Sequence, residues 1–105
     1  MEFEEFAPLN KRLATLLSDE DYTEFQVWLM EMPDAGKVIP KSGGLRKIRC
    51  AAKGHGKRGG ARVIYYWLVN RDKILLLDIY AKNEKEDLSP REIQILKQLV
   101  EEYLL

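Results

Sequence analysis

Apolar residues recur every three or four positions in the first third of this chain and every second position in its middle, and the change of period divides it into elements. Leu9, Leu13, Leu16 and Leu17 share one side of a helix over about Pro8–Leu17, with Pro8 in the first turn, where its missing N–H costs nothing. Ser18 caps a second helix: Asp19, Glu20 and Asp21 sit at its positive end, Tyr22, Phe25, Leu29 and Met32 repeat at helical spacing beside Trp28, and Pro33 stops it. Asp34–Gly44, with Gly36, Pro40, Gly43 and Gly44, reads as a connecting loop. From Leu45 the period is two: Ile48, Cys50 and Ala52 face one way, Lys47, Arg49, Ala51 and Lys53 the other. Val63–Val69 is β-branched and aromatic, as a central strand should be, and the turn Asn70-Arg71-Asp72-Lys73 leads to a third strand, Ile74–Ala81. Ser89-Pro90-Arg91-Glu92 joins a capping Ser, a first-turn Pro and a Glu three residues after the cap, opening a helix through Ile93, Leu96, Leu99, Val100 and Tyr103. The alternation of Met1–Phe6 predicts a weak strand at the sheet edge. The expected fold class is α+β: a small antiparallel sheet of three sequential strands, flanked by two N-terminal helices and one C-terminal helix.

At 105 residues the chain is expected to form one domain, 1–105, with one core. A single cysteine, Cys50, excludes an internal disulfide and a multi-thiolate metal site. The longest apolar run, Val63–Val69, is far short of the roughly 20 residues of a membrane span. Met1–Phe6 is acidic and lacks the basic and apolar regions of a secretory signal, so a cytoplasmic protein without membrane contact is expected.

The formal net charge is zero, but the charge is segregated. Residues 1–34 hold nine acidic and two basic side chains, and residues 72–105 hold eight acidic and five basic. Ala35–Arg71 contains no Asp or Glu and ten Lys or Arg. Such a segment suits a polyanion, or else a basic strand pair neutralised by the acidic flanks of the same molecule.

The glycine-rich Lys53-Gly54-His55-Gly56-Lys57-Arg58-Gly59-Gly60 allows close backbone approach to phosphate and supplies cations. Arg58 stands where a nucleotide P-loop requires Ser or Thr, and the GXXG of RNA-binding KH modules joins helices rather than strands. His55 is the only histidine, which removes a two-histidine ribonuclease mechanism and a multi-histidine zinc site; no metal or other cofactor is expected. Ser42 and Cys50 have no base nearby in sequence, and Cys50 belongs to the apolar side of its strand. What remains are cations on strand faces. Lys47, Arg49, Lys53, Arg62, Tyr80 and Lys82 converge on one patch if their faces agree, because neighbouring strands lie about 4.8 Å apart. Attack of an RNA 2′-hydroxyl on its own phosphate needs a base, an acid and cations around the phosphorane, and clustered lysines lower one another's pKa towards neutrality. A binding surface without turnover would present the same residues.

Gly43-Gly44-Leu45-Arg46-Lys47-Ile48-Arg49, Lys57-Arg58-Gly59-Gly60-Ala61-Arg62-Val63-Ile64-Tyr65-Tyr66 and Ile79-Tyr80-Ala81-Lys82-Asn83-Glu84, in that order and at those gaps, resemble the HigB-type branch of the RelE/ParE toxin superfamily. The resemblance runs from about Ser18 to the C-terminus. It implies a RelE-like fold and a type II toxin that cleaves mRNA on the ribosome, restrained by a cognate antitoxin of helix-turn-helix type. By the same resemblance Arg62 stabilises phosphate, Arg49 and Lys53 supply acid/base and phosphate contacts, Lys82 is the cation after the third strand, and Tyr80 orients the substrate or stacks on a base. Arg46, Lys47, Lys57 and Arg58 complete the expected RNA contacts. RelE toxins carry a tyrosine downstream of the third strand, where this chain has Lys85-Glu86-Asp87-Leu88-Ser89, so base and acid stay unassigned. The alternatives are a ParE-type gyrase poison of the same fold and a non-catalytic basic RNA-binding module.

Overall fold

The computed structural model describes residues 1–50 and 60–105. The chain runs through β1 (Glu2–Glu5), α1 (Ala7–Leu16), α2 (Asp19–Glu31), β2 (Lys37–Val38), β3 (Arg46–Cys50), β4 (Ala61–Leu68), β5 (Lys73–Ala81) and α3 (Pro90–Leu104). The strands form one sheet in the order β1-β5-β4-β3-β2. β3, β4 and β5 are sequential antiparallel neighbours, as the periodicity indicates. β1 does pair at an edge, but parallel to β5, and β2 adds an antiparallel strand at the opposite edge, so the sheet is five-stranded and mixed. Its two edges are bridged by α1 and α2, which free β1 from the direction a hairpin would impose.

Helices cover both faces, which is why β4 and β5 are nearly continuous in apolar residues. On one face Leu9 and Leu16 of α1 and Phe25 and Leu29 of α2 pack over Ile48, Val63, Tyr65, Ile74 and Leu76. On the other, Leu96 and Val100 of α3 pack over Leu45, Ile64, Leu68, Leu75 and Leu77. Both expected caps are present. Ser18 Oγ accepts from the Asp21 N–H at 3.0 Å, and Ser89 with Glu92 forms a reciprocal capping box. Lys73 of β5, Tyr103 of α3 and Glu4 of β1 meet in a hydrogen-bonded cluster, with Lys73 Nζ 2.7 Å from the Tyr103 hydroxyl and 3.0 Å from Glu4.

One irregularity decides how the strands present their side chains. Ile64 pairs with Asp78 but Tyr65 pairs with Leu76, so Leu77 is an extra residue, a β-bulge. Before it, Leu75 faces α3 and Leu76 faces α1 and α2; after it, Ile79 faces α1 and α2 and Tyr80 faces α3. Unbroken alternation would have put Tyr80 on the face of Leu76.

Candidate active site

Because the bulge resets the alternation of β5, Arg49, Arg62 and Tyr80 form one row across three strands. Arg49 is the register partner of Arg62, and Arg62 of Tyr80, on the face that carries α3. The next row is Lys47, Ile64 and Asp78. β4 begins two residues earlier than its apolar run suggests, at Ala61, and this places Arg62 inside the ladder rather than ahead of it. Lys82 follows β5, and its backbone N–H donates to the Gly60 carbonyl at 3.3 Å, tying the end of β5 to the start of β4.

Arg49 and Arg62, but not Lys82, line a cleft of about 400 Å³ together with Lys37, Lys47, Glu86 and Asp87. Three of its members, Lys37, Glu86 and Asp87, escaped the sequence reading. Lys37 lies in the segment read as loop, since a two-residue strand shows no period, and the acidic pair belongs to the connection between β5 and α3. Three side chains tie that connection down. Glu84 accepts from the Ala81 N–H at 3.0 Å and pairs with Arg12 of α1; Lys85 pairs with Glu92; Asp87 pairs with Lys47. The run of four charges, Glu84-Lys85-Glu86-Asp87, was the available signal.

Of the two roles expected of Tyr80, the structure leaves no room for stacking on a base. The ring is fully buried, the Lys85 ammonium stands 5.1 Å from its centroid, and the hydroxyl donates to the Glu86 carbonyl at 3.4 Å. It therefore has no free face on which a base could stack. Burial, reinforced by the charge of Asp87, pushes its pKa up to about 12 despite the opposing Arg62, so the hydroxyl stays protonated at neutral pH. Its part is to hold the acidic connection against the arginine row.

Arg46 is also placed elsewhere. It is on the opposite side of β3 from Lys47 and Arg49, and its Nη1 donates to the Gly36 carbonyl at 2.7 Å and the Asp34 carbonyl at 3.2 Å. It clamps the bend before β2 instead of joining the cationic row. The same bend is fixed by Tyr65, whose hydroxyl donates to the Pro33 carbonyl at 2.7 Å and accepts from the Gly36 N–H at 2.8 Å. Gly36 has no room for a side chain, since a Cβ there would stand 2.7 Å from the Tyr65 ring. Cys50 is buried, and burial raises its thiol to about 11, which leaves it inert in the core. Lys53, His55, Lys57 and Arg58 lie outside the described residues. Among the described residues no three His, Cys, Asp or Glu side chains come together to hold a metal, and no helix is long and apolar enough to cross a membrane.

A family model described as the RelE toxin of the RelE/RelB toxin–antitoxin system matches residues 34–105. This part contains β2 to β5 and α3, and with them the arginine row and the cleft. The fold is similar to that of a chain in the intact E. coli RelBE toxin–antitoxin complex, at a TM-score of 0.55 and 17% identity over 73% of this chain and 90% of that one. A mutant of E. coli toxin RelE in the free state matches with a TM-score of 0.55 and 13% identity, over 80% of this chain and 85% of that one.

Proposed function

The chain belongs to the RelE toxin family, and on that premise we propose that it is a ribosome-dependent mRNA endonuclease of the HigB-type branch, acting in the cytoplasm and silenced by a cognate antitoxin. The observation that supports this best is the Arg49–Arg62 register pair beside Lys47 in one cleft. An anion seated between two guanidiniums on adjacent strands gains from both, and the gain grows as the in-line attack of the 2′-hydroxyl adds charge to the phosphorane. The chemistry needs no nucleophile from the protein. Arg62 and Arg49 hold the phosphate, Tyr80 positions the connection that borders it, and Lys82 stands at the strand end as a proton donor or phosphate contact. Lys53 is the acid/base candidate from the segment between β3 and β4, with Lys57 and Arg58 as further RNA contacts. The antitoxin is expected to carry a helix-turn-helix domain.

A short pulse of expression tests the reading. Incorporation of labelled amino acids should fall before DNA synthesis, and new mRNA 5′ ends should appear within coding regions. Gyrase-linked DNA breaks with intact mRNA would overturn it in favour of a ParE-type activity.

A further inference from the structure

A second cleft, of about 380 Å³, adjoins the first and differs from it in character. Its apolar walls are Val38, Ile39 and Pro40 at the β2 edge and Leu88 and Ile93 at the start of α3. Lys37, Lys47 and Asp87 line both clefts. The Lys47–Asp87 ion pair therefore stands on the boundary between a cationic cleft and an apolar one. The boundary is weak, because the Asp87 side chain is 65% exposed and ion pairs so open to water contribute little.

We propose that the apolar cleft is a nucleobase subsite: it takes the base of a nucleotide whose phosphate lies on the Arg49–Arg62 row, with Lys47 turning from Asp87 to the RNA backbone. The inference rests on the proposed RNA-cleaving reading and deepens it. Three features favour a base over an amino-acid side chain as occupant. The cleft is continuous with a phosphate-sized concentration of cations, so one ligand carrying an anion and a flat apolar ring fills both. Its volume suits a small heterocycle. Asp87, the only acidic group at its border among the described residues, can accept a hydrogen bond from a base amino group once Lys47 has left it, which gives the subsite a means of discriminating among bases.

The test uses the full chain, methyl- and arginine-labelled for NMR, and a single-stranded RNA octamer that is 2′-O-methylated to prevent cleavage. A second octamer lacks one base, moved through each position in turn. The intact octamer should shift the methyl signals of Val38, Ile39, Leu88 and Ile93 together with the guanidinium signals of Arg49 and Arg62. Removing one particular base should abolish the methyl shifts, keep the arginine shifts and weaken binding about ten-fold, within the range a packed base supplies. Val38→Ser, at a position already 53% exposed, should keep the fold and weaken the intact octamer without changing the abasic one. Arginine shifts without methyl shifts would overturn the base subsite and leave the RNA reading standing. Shifts in neither set would overturn the base subsite, while the ribosome-dependent reading is decided separately by the mapped mRNA 5′ ends. Methyl shifts produced by an acidic amphipathic peptide and not by RNA would assign the cleft to a protein partner and overturn the subsite.

Discussion

Tyr65→Phe removes a single oxygen from a fully buried ring, and the structure sets what that costs. The hydroxyl gives a hydrogen bond to the Pro33 carbonyl at 2.7 Å and receives one from the Gly36 N–H at 2.8 Å. Gly36 is buried, so its N–H has no water to turn to, whereas Pro33 is only partly buried and its carbonyl can recover some hydration. A buried group left without its partner costs roughly 1–3 kcal/mol, so the substitution should destabilise by about 2–3 kcal/mol. With an unfolding entropy of about 2.1 cal/mol/K per residue, a chain of this length loses about 4–5 °C per kcal/mol, and Tm should fall by about 10 °C. Thermal unfolding followed by circular dichroism or calorimetry measures this. A fall of less than about 3 °C would refute the view that Tyr65 holds the bend leading into β2. Gly36→Ala forces the same ring aside, because the added Cβ meets the Tyr65 hydroxyl at 2.8 Å and the Lys47 carbonyl at 3.1 Å. The double variant should therefore lose less than the sum of the two single losses.

The arginine row makes its own demands: Arg62→Ala should lower RNA cleavage about 10²–10³-fold and relieve growth arrest with the melting temperature little changed, and Lys82→Ala should act in the same direction, both read by primer extension. Two carboxyls should show opposite pH behaviour in urea unfolding. Glu92 is held below 4.5, chiefly by the Lys85 ammonium, so its contribution is present above that pH and lost as pH falls through its folded value; Glu92→Gln should cost less than about 1 kcal/mol at pH 7, since the side chain is more than a third exposed, and nothing in strong acid. Asp78 is raised above 3.8, chiefly by burial, so its protonated form favours folding at low pH and that stability is lost as pH rises; Asp78→Asn should gain stability at pH 7 and lose the advantage below about 3.8. Coexpression with a neighbouring small open reading frame, with a tag on one product only, should yield a complex whose on-rate falls as salt rises above about 0.1 M.

Much of this architecture could be read along the chain because each element carries its own local cause. Ser18 and Ser89 start helices through their hydroxyls, Pro33 ends one, and the apolar period of Val63–Val69 marks a central strand whatever surrounds it. The convergence of Arg49 with Arg62 was likewise legible, since Arg49 falls on the cationic side of its strand and Arg62 stands at the head of the strand beside it. Three features were not, and each depends on tertiary structure. The direction of β1 is decided by a partner some seventy residues away. The bulge at Leu77 leaves no mark in an unbroken apolar run, yet it determines which face Tyr80 joins. Arg46 resembles its basic neighbours in sequence, and only the nearby Asp34 and Gly36 carbonyls reveal that it serves the bend. The acidic connection at Glu84–Asp87 has neither an apolar period nor an aromatic residue to mark it, and only the folded chain brings Glu86 and Asp87 to the cationic cleft.

The most direct test of the central claim is a reconstituted translation reaction with a defined mRNA, in which purified chain is added to ribosomes stalled at a known codon and cleavage is mapped by primer extension. Wild-type chain should cut the message within the codon occupying the A site, leave the same message intact without ribosomes, and lose the cut on Arg62→Ala. An uncut message under wild-type chain, or an equal cut by the Arg62→Ala variant, would contradict the assignment of this cleft to RNA cleavage.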